Sequence, residues 1–367
     1  MEALRLGNGA ITERDGIVVT VQSDGITGVG EASPMAATMS MSEAIGATWD
    51  SLKERVIPAV VSMRPKSLDD VCGVLEAVGG DASARAGVES AFYDVEAQRV
   101  GMPLARLLGG SRMRIECGLT VGTAPSVSEL MAHIERHLAD GYKRVTVTVH
   151  PGWDIEPLGE IRRAFGDIPL IADANGAYTR EHFDHLRRFD EYELLMIVQP
   201  LMSHDLEGHA ELQALLATPV CLDEGAEDPE AVRRALRIGA CRIVKIRTQR
   251  VGGPRNAWRI HDLCASAGIP VWVGSKLELG VGSVQAAHLA ALPNCRFPSD
   301  VQASRRWFVE DVITPPVEVH DGEIQLPLAT GLGYRISERA MEKFAVRPEV
   351  VVSSPPNSEI RSPISDL

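Results

Sequence analysis

Two strand-like apolar segments near the middle of the chain end in carboxylates, Asp173 in LIADAN and Asp223 in VCLDE. The segment between them, LLMIVQP, has Val198 where a third carboxylate would complete a site for a divalent cation. Such an ion takes several oxygen ligands, and a valine offers none. The next segment, RIVKIR, adds Lys245 and Arg247. We therefore predict a site without a bound metal, in which protein cations face the two acids.

Lys245 and Arg247 are two residues apart, so a strand would turn both side chains to the same face. Arg247 is expected to bind a substrate carboxylate in a bidentate manner. Lys245 would neutralise the two acids, or would exchange protons if burial lowered its pKa. The alternative for Lys245 is a salt bridge that only fills the position of an ion. We predict Lys245, Asp173 and Asp223 as catalytic residues.

His150 closes the segment VTVTVH and is a further predicted catalytic residue. The period of two in a strand turns it inward together with Thr146 and Thr148. Histidine titrates close to neutral pH, as a general base should. The alternative is a surface histidine before the turn at Pro151. The residues predicted to bind substrate are Arg247, Lys276, Thr146, Thr148, Asn175 and Glu278.

From Cys117 onward, β-rich segments alternate with helical segments, which is typical of a parallel sheet. About seven or eight such units favour a closed (β/α) barrel over an open sheet. The strand candidates are CGLTVG, RVTVTVH, PLIADAN, LMIVQP, VCLDE, RIVKIR and PVWVGS. Active sites of such barrels lie at the C-terminal ends of the strands, where the candidate residues fall. The alternative is an ion-pair network that merely closes the barrel mouth.

The N-terminal part of the chain has a different pattern. Residues 14–31 contain two β-rich segments, and Asp24-Gly25 between them favours a hairpin turn. Helical patterns follow, so the predicted fold class is α/β, a (β/α) barrel with an N-terminal α+β capping domain. The predicted division is a capping domain at 1–112, the barrel at 113–325, a return to the capping domain at 326–345 and an extended or mobile tail at 346–367.

Composition argues against several classes of function. The chain has 367 residues and a formal net charge of −13, which disfavours nucleic acid as a partner, because phosphate binding needs a basic face. No apolar run reaches the roughly 18 residues that span a membrane, and the N-terminal residues lack the apolar core of a signal peptide. Six scattered cysteines without a CxxC pair indicate reduced core thiols in a cytoplasmic protein.

Several motifs, in order along the chain, resemble the enolase superfamily in its muconate-lactonizing branch. DGITGVGEASP and ARAGVESAFYDVEAQRVGMPLARLLGG are similar to its capping domain, and PLIADANGAYT, TPVCLDE, WVGSKLELGVG and ALPNCRFPSDVQAS are similar to its barrel. The similarity runs from about residue 14 to about residue 340. Within the branch, the motifs are most similar to o-succinylbenzoate synthase and N-acylamino acid racemase.

The resemblance implies proton abstraction beside a carboxylate, with Mg2+ held by three acids and with lysines as acid and base. It assigns the first and third metal ligands to Asp173 and Asp223 and the second to Val198, so these are remnant positions of a metal site. The paired lysines fall on threonines and the opposite lysine on Arg247, and neither residue type is an effective base near neutral pH. We therefore expect the Mg2+-assisted reaction to be lost or severely weakened.

Three functions stay open. The first, the main prediction, is a metal-independent acid/base enzyme, an isomerase or lyase that acts on a small carboxylate or amino-acid-derived substrate. The second is an Mg2+-dependent enzyme with o-succinylbenzoate synthase-like or racemase-like activity, in which the ion binds weakly. The third is a catalytically inactive protein that binds a ligand. No cofactor is predicted, and a homo-oligomer would suit the family.

Overall fold

The computed structural model describes residues 4–6, 9–11, 13–34, 41–275 and 277–353. Lys276, a predicted substrate contact, lies outside them, as does most of the predicted tail. Within the described chain, no helix is both long enough and apolar enough to cross a membrane. All six cysteines belong to this part of the chain, and all are buried free thiols.

The capping domain combines a β-hairpin with several helices. Its elements are β1 (Leu4–Leu6), β2 (Gly9–Ile11), β3 (Ile17–Ser23), β4 (Ile26–Ala32), α1 (Met41–Ser51), a π-helical turn (Leu52–Val56), α2 (Ile57–Met63), α3 (Leu68–Val78), α4 (Ala82–Arg99) and α5 (Leu104–Leu107). Strands β3 and β4 pair antiparallel, with Ile17 opposite Ala32 and Ser23 opposite Ile26. Asp24-Gly25 makes the turn between them, so the predicted hairpin is confirmed.

Helix α4 packs closely on the hairpin because glycines lie at the contact. A Cβ atom on Gly28 would lie 2.2 Å from the Ala91 carbonyl oxygen, and one on Gly30 would lie 2.0 Å from the Gly87 carbonyl oxygen. Both distances are shorter than any real contact of a Cβ atom, so a larger side chain would push the helix away from the strand. The hairpin and α4 therefore form one packed layer of the capping domain.

Parallel strands and helices alternate through the barrel. Its elements are β5 (Arg114–Glu116), β6 (Leu119–Val121), α6 (Val127–Leu138), β7 (Val145–Thr148), α7 (Ile155–Phe165), β8 (Leu170–Asp173), a 3-10 helix (Arg180–His182), α8 (Phe183–Leu186), a second 3-10 helix (Arg187–Tyr192), β9 (Met196–Val198), α9 (Leu206–Leu215), β10 (Val220–Leu222), α10 (Pro229–Ile238), β11 (Ile243–Ile246), α11 (Thr248–Val251), α12 (Pro254–Ser266), β12 (Val271–Val273), α13 (Gly280–Leu289) and α14 (Ser304–Trp307). Strands β6 to β12 form a parallel sheet in chain order. Residues after α13 close the ring, because Cys295 bridges to Val271 of β12 and Ser299 bridges to Cys117 just before β6. The predicted barrel is confirmed.

The chain then returns toward the capping domain. The last elements are β13 (Ile313–Thr314), β14 (Glu323–Gln325), β15 (Arg335–Ile336) and α15 (Glu338–Phe344). Strand β14 pairs antiparallel with β5, and β13 pairs with β15. The segment beyond β14 also contacts α4, since the Leu332 N–H donates to Asp94 Oδ1 at 2.7 Å. The capping domain therefore precedes the barrel in the chain and also contacts the segment that follows it.

Part of the barrel interior below the charged mouth is apolar and lies beside the buried polar side chains of Arg144 and Thr146. The buried interior cluster consists of Ile171, Met196, Val198, Cys221, Ile243 and Trp272. Because side chains alternate along a strand, the same face of β8, β10 and β11 carries the candidate site residues two positions later. The apolar layer thus forms the floor on which the polar site rests.

Buried carboxylates join the capping domain to the barrel. Glu31 of β4 accepts the backbone N–H groups of Leu279 at 2.9 Å and Gly282 at 2.7 Å, at the start of α13. Glu89 of α4 accepts the Arg255 N–H at 2.6 Å, at the start of α12. N–H groups at helix N-termini carry partial positive charge, so each acid also faces a helix dipole. These contacts hold the capping domain against the side of the barrel on which the strands end.

His288 of α13 links three separate stretches of the chain. Its Nδ1 accepts the Ala105 N–H at 3.1 Å, and its Nε2 lies 3.0 Å from the Leu332 carbonyl oxygen. The ring is fully buried. The capping domain, the barrel and the returning segment therefore meet at one imidazole.

Candidate functional site

The central residues of the predicted site gather where strands β8 to β11 end. Asp173 is the last residue of β8, Asp223 directly follows β10, and Lys245 lies in β11. Val198 of β9 pairs with Asp173 on one side and with Cys221 of β10 on the other. A fully buried valine therefore stands between the two strands that carry the acids.

The Lys245 ammonium group lies among three carboxylates. Its Nζ is 2.8 Å from Asp300 Oδ2, 3.4 Å from Asp223 Oδ2 and 3.8 Å from Asp173 Oδ2. The lysine side chain is only 2% exposed. A buried ammonium is stable only when opposite charges surround it, and barrel carboxylates supply them here. Lys245 thus forms ion pairs with both Asp173 and Asp223, whose strands are separated by β9.

The pKa shifts divide this group into permanent charges and a titratable acid. Burial and Arg247 act to lower the pKa of Lys245, but the three carboxylates outweigh them and raise it. Lys245 therefore stays charged near neutral pH, and it does not have the lowered pKa that proton exchange would need. Burial raises the pKa of Asp173 to about 6, against the opposing charge of Lys245. Asp173 thus changes its charge close to neutral pH.

Guanidinium groups hold both oxygens of Asp223. Arg247 donates from Nε at 2.8 Å and from Nη2 at 2.7 Å, and Arg250 donates from Nη1. Burial favours the neutral acid, but the arginines and Lys245 hold the pKa of Asp223 well below its usual range. Nη1 of Arg247 donates to the Ser275 carbonyl oxygen at 2.8 Å. A substrate carboxylate would have to displace these partners, and substrate binding by Arg247 stays a prediction.

The site also contains residues that the sequence analysis missed. Asp300 accepts hydrogen bonds from Arg144 and from the Thr120 hydroxyl, the latter at 3.0 Å. Burial favours the neutral form of Asp300, but Lys245 and Arg144 lower its pKa to about 2. The centre of a Trp272 ring lies 4.3 Å from Lys245 Nζ and 4.5 Å from Arg144 Cζ. Lys245 thus packs against an inner wall that consists of Asp300, Arg144 and Trp272.

Gly274, just after β12, makes room for the two central cations. A Cβ atom there would lie 2.5 Å from Lys245 Cε and 3.1 Å from Arg247 Cζ. Any other residue would displace these side chains or the backbone. The glycine in WVGS is therefore a sequence signal of a crowded barrel mouth.

The residues predicted from strand β7 differ in their exposure. Thr146 is fully buried and accepts a hydrogen bond from Arg144, and Thr148 is also buried. His150 lies two residues beyond the strand and is partly exposed. Its Nδ1 is 3.1 Å from the Pro151 carbonyl oxygen. Proton transfer by His150 and substrate contact by the threonines stay predictions.

The remaining predicted substrate contacts lie on loops. Asn175 follows β8, is exposed and has a positive φ of 46°. Glu278 is buried and accepts a hydrogen bond from the Ser275 hydroxyl. Because the Ser275 carbonyl oxygen also accepts a hydrogen bond from Arg247, this loop contacts the charged mouth. Roles for Asn175 and Glu278 in substrate binding stay predictions.

The mouth is a poor fit for Mg2+. Of the three ligand positions that the resemblance implies, only Asp173 and Asp223 are acids, and guanidinium groups already hold Asp223. Lys245 Nζ is 3.8 and 3.4 Å from these acids, where its charge would repel another cation. Within the described residues, no three His, Cys, Asp or Glu side chains are arranged to hold a metal ion. The residues present therefore do not match the ion that the resemblance implies.

The charges of the mouth balance without an added ion. Among the described residues, ion pairs connect four acids and four cations, namely Asp173, Asp223, Asp300 and Glu224 with Arg144, Lys245, Arg247 and Arg250. When all eight groups are ionised, their charges cancel. A divalent cation would add uncompensated positive charge to a buried cluster, which is costly.

Comparisons with known proteins extend this description. Residues 3–109 match the family described as mandelate racemase / muconate lactonizing enzyme, N-terminal domain, and residues 129–340 match the enolase C-terminal domain-like family. An o-succinylbenzoate synthase of Geobacillus kaustophilus is 42% identical over 89% of this chain and 88% of its own. An N-succinylamino acid racemase of Thermus thermophilus is 36% identical over 92% of both chains.

Solved structures show the same architecture. A protein from Listeria innocua described as a member of the enolase superfamily superposes with a TM-score of 0.88 at 31% identity, over 94% of this chain and 93% of its own. The muconate lactonizing enzyme of Pseudomonas fluorescens superposes with a TM-score of 0.87 at 22% identity, over 94% of this chain and 95% of its own. The second likeness bears on the fold alone.

Proposed function

The chain belongs to the enolase superfamily, in its mandelate racemase and muconate-lactonizing branch, and we propose that it is an acid/base enzyme in which protein cations take the place of the metal ion. It acts as an isomerase or lyase on a small carboxylate or amino-acid-derived substrate at the barrel mouth. The observation that carries this proposal is the position of Lys245 Nζ, 3.4 Å from Asp223 and 3.8 Å from Asp173. A fixed protein cation there supplies positive charge without an ion from solution.

Asp173 is the proton-transfer group in this proposal. Its pKa of about 6 places the change of charge near the operating pH, which suits a general base. Above that pH the ionised carboxylate accepts a proton from the carbon beside the substrate carboxylate. The neighbouring Lys245 ammonium then stabilises the negative charge that develops, since electrostatic interactions are strong in a buried site. Activity is therefore expected to rise as the pH increases through about 6.

The Mg2+-dependent reactions named for the relatives are the second candidate. The 42% identity to an o-succinylbenzoate synthase, over 89% of this chain, favours it. The side chains that carry the chemistry argue against it, because threonines stand at the positions of the paired lysines and Arg247 at the position of the opposite lysine. Arginine stays protonated and threonine has no basic group, so neither replaces a catalytic lysine.

Proton exchange in D2O tests the proposal without knowledge of the product. The purified chain is incubated with o-succinylbenzoate-type acids and N-succinylamino acids, with EDTA or with Mg2+, and NMR follows loss of the proton beside the carboxylate. We expect exchange that EDTA leaves unchanged. Asp173→Asn should slow it by about 10²- to 10⁴-fold, the usual contribution of a general base. Asp167→Asn, an exposed substitution before β8, is the matched control and should leave the rate unchanged.

Two results would contradict the proposal. Exchange that requires Mg2+ and survives Asp173→Asn would assign the chain to the reaction of its relatives. Saturable binding of these acids without any exchange would make it a ligand-binding protein. Circular dichroism and a denaturation curve for Asp173→Asn must accompany the rates, so that loss of structure is not mistaken for loss of a base.

A further inference from the structure

The surroundings of Lys245 Nζ form a complete binding site for an organic ammonium ion. Carboxylate oxygens of Asp300, Asp223 and Asp173 approach it at 2.8, 3.4 and 3.8 Å. The face of Trp272 covers a further side at 4.3 Å. Ammonium groups combine ion pairs with contacts to aromatic faces in this way.

The walls of this site are held in place by residues other than Lys245. Asp300 is fixed by Arg144 and by the Thr120 hydroxyl. The Trp272 indole N–H donates to Cys221 Sγ at 3.3 Å, which sets the plane of the ring. Asp223 is held by guanidinium groups, as described above. The site should therefore persist when the lysine side chain is shortened.

We propose that the barrel mouth contains a binding site for an organic ammonium ion, and that the Lys245 side chain occupies this site in the native protein. Replacing Lys245 with alanine removes the chain from Cγ to Nζ, which has the length and charge of n-propylammonium. The variant is expected to bind that ion from solution, in the position that the lysine leaves. The inference deepens the proposed function and rests on it for the claim that the site works without a metal.

Charge and chemistry favour an ammonium ion over Mg2+ even in the shortened variant. Without Lys245 the balanced cluster carries one net negative charge, which one monovalent ion neutralises and a divalent ion exceeds. Trp272 covers one side of the position and offers no oxygen ligand. Mg2+ needs near-octahedral oxygen coordination, whereas an alkylammonium ion gains from the aromatic face.

The test is the thermal stability of full-length Lys245→Ala in n-propylammonium chloride, with NaCl and MgCl2 at matched ionic strength. Binding to the native state raises the melting temperature with the logarithm of ligand concentration, by about 2 °C at ten times the dissociation constant. We expect this rise with n-propylammonium and not with Na+ or Mg2+. Wild type, and the exposed substitution Lys53→Ala, should show no such specific rise.

A double variant tests the assignment of the walls. Asp300→Asn in the Lys245→Ala background removes the nearest carboxylate and should weaken n-propylammonium binding at least tenfold. If Lys245→Ala does not fold in buffer, its refolding yield from denaturant is measured in each salt, and recovery with n-propylammonium alone supports the site. Equal effects of all three salts, or stabilisation by Mg2+ in place of n-propylammonium, would overturn it. None of these measurements uses turnover, so an inactive wild type would contradict the proposed function and leave the ammonium site standing.

Discussion

At the barrel mouth, Asp223 and Asp300 face guanidinium and ammonium groups, whereas at the cap–barrel interface Glu31 and Glu89 accept backbone N–H groups. Both regions bury carboxylates almost completely. They differ in what replaces the lost water. Side-chain cations form direct ion pairs with the mouth acids, whereas the interface acids accept hydrogen bonds from N–H groups at helix N-termini, and the arginine charges near them have smaller effects than burial.

The pKa values show the consequence of this difference. The pKa of Asp300 falls to about 2, because Lys245 and Arg144 outweigh the effect of burial. Burial raises the pKa of Glu31 and Glu89 to about 7, because the N–H groups compensate it only in part. Asp223, Asp300 and Lys245 of the mouth therefore keep their charges across the neutral range, whereas Asp173, with a pKa of about 6, and the interface acids gain charge as the pH approaches 6 to 7. Only the mouth is thus suited to hold a permanent electrostatic field.

Lys245→Met should produce the largest effect on stability. It removes the cation that three buried carboxylates share and leaves them uncompensated. Loss of one partner of a buried ion pair costs about 3–5 kcal/mol. The free energy of unfolding, from urea denaturation at pH 7, measures the change. The exposed substitution Lys53→Met should stay within about 0.5 kcal/mol of wild type. A similarly small change for Lys245→Met would remove the distinction between the two regions.

Glu31→Gln should alter the dependence of stability on pH. The folded-state pKa of Glu31 is raised from 4.5 to about 7, so the native state holds the proton more tightly than the unfolded chain. Its contribution is therefore fully present below about pH 4.5 and is lost as the pH rises to about 7, by about 3 kcal/mol in total. Asp300 of the mouth acts in the opposite direction, since its lowered pKa removes stability as the pH falls from about 4 to about 2. Asp173, whose pKa is raised to about 6, acts in the same direction as Glu31.

The measurement is urea denaturation at pH 5 and pH 8 for both proteins. Glu31→Gln should reduce the loss of stability between these pH values by somewhat less than half, because Glu89 and Asp173 retain their own contributions. Glu135→Gln, on the exposed face of α6, should leave the difference unchanged. An unchanged difference in Glu31→Gln would mean that the interface acid is ionised throughout, as at the mouth.

Gly274→Ala gives the smallest of the three expected effects. Its new Cβ atom would lie 2.5 Å from Lys245 Cε, and overpacking of this kind costs about 1–3 kcal/mol. The matched control is Gly73→Ala in α3, where a Cβ atom meets no described atom within 4 Å. That substitution should stabilise the protein by about 0.5–1 kcal/mol. If both substitutions changed the free energy of unfolding by the same amount, the side chains of the mouth would be able to rearrange around a new Cβ atom, which would contradict a tightly packed cluster.

The architecture could be predicted because it follows from local periodicity. The alternation of apolar strands with helices yielded the strands β6 to β12, and Asp24-Gly25 yielded the hairpin. These patterns depend on neighbours in sequence. The closure of the ring by the stretch around Cys295 and Ser299 has little such pattern, since it is made by isolated bridges rather than by a strand. This eighth, ring-closing segment was therefore expected only from the number of strand–helix units.

The site could be predicted in part. The period of two placed Lys245 beside Asp173 and Asp223, because all three lie on inward faces of neighbouring strands. Asp300 and Arg144 were missed because their partners are distant in sequence and charged residues are usually exposed. The lowered pKa considered for Lys245 was wrong for the same reason, since the nearest carboxylate belongs to the missed residues. Strand periodicity thus places side chains on a face and leaves their partners undetermined.

The buried ring of His288 has a consequence for how the molecule can be divided. Because Nδ1 accepts the Ala105 N–H, the ring proton must sit on Nε2 and point to the Leu332 carbonyl, which fixes a single tautomer. Burial lowers the pKa of His288 to about 4, so this tautomer persists at physiological pH. A barrel excised at the bounds of its matched family, 129–340, would keep Leu332 but lose the Ala105 N–H, so that Nδ1 would lose its partner. A cut between the two matched regions would therefore leave a buried neutral imidazole with an unsatisfied acceptor, and the capping domain is expected to contribute to the stability of the barrel.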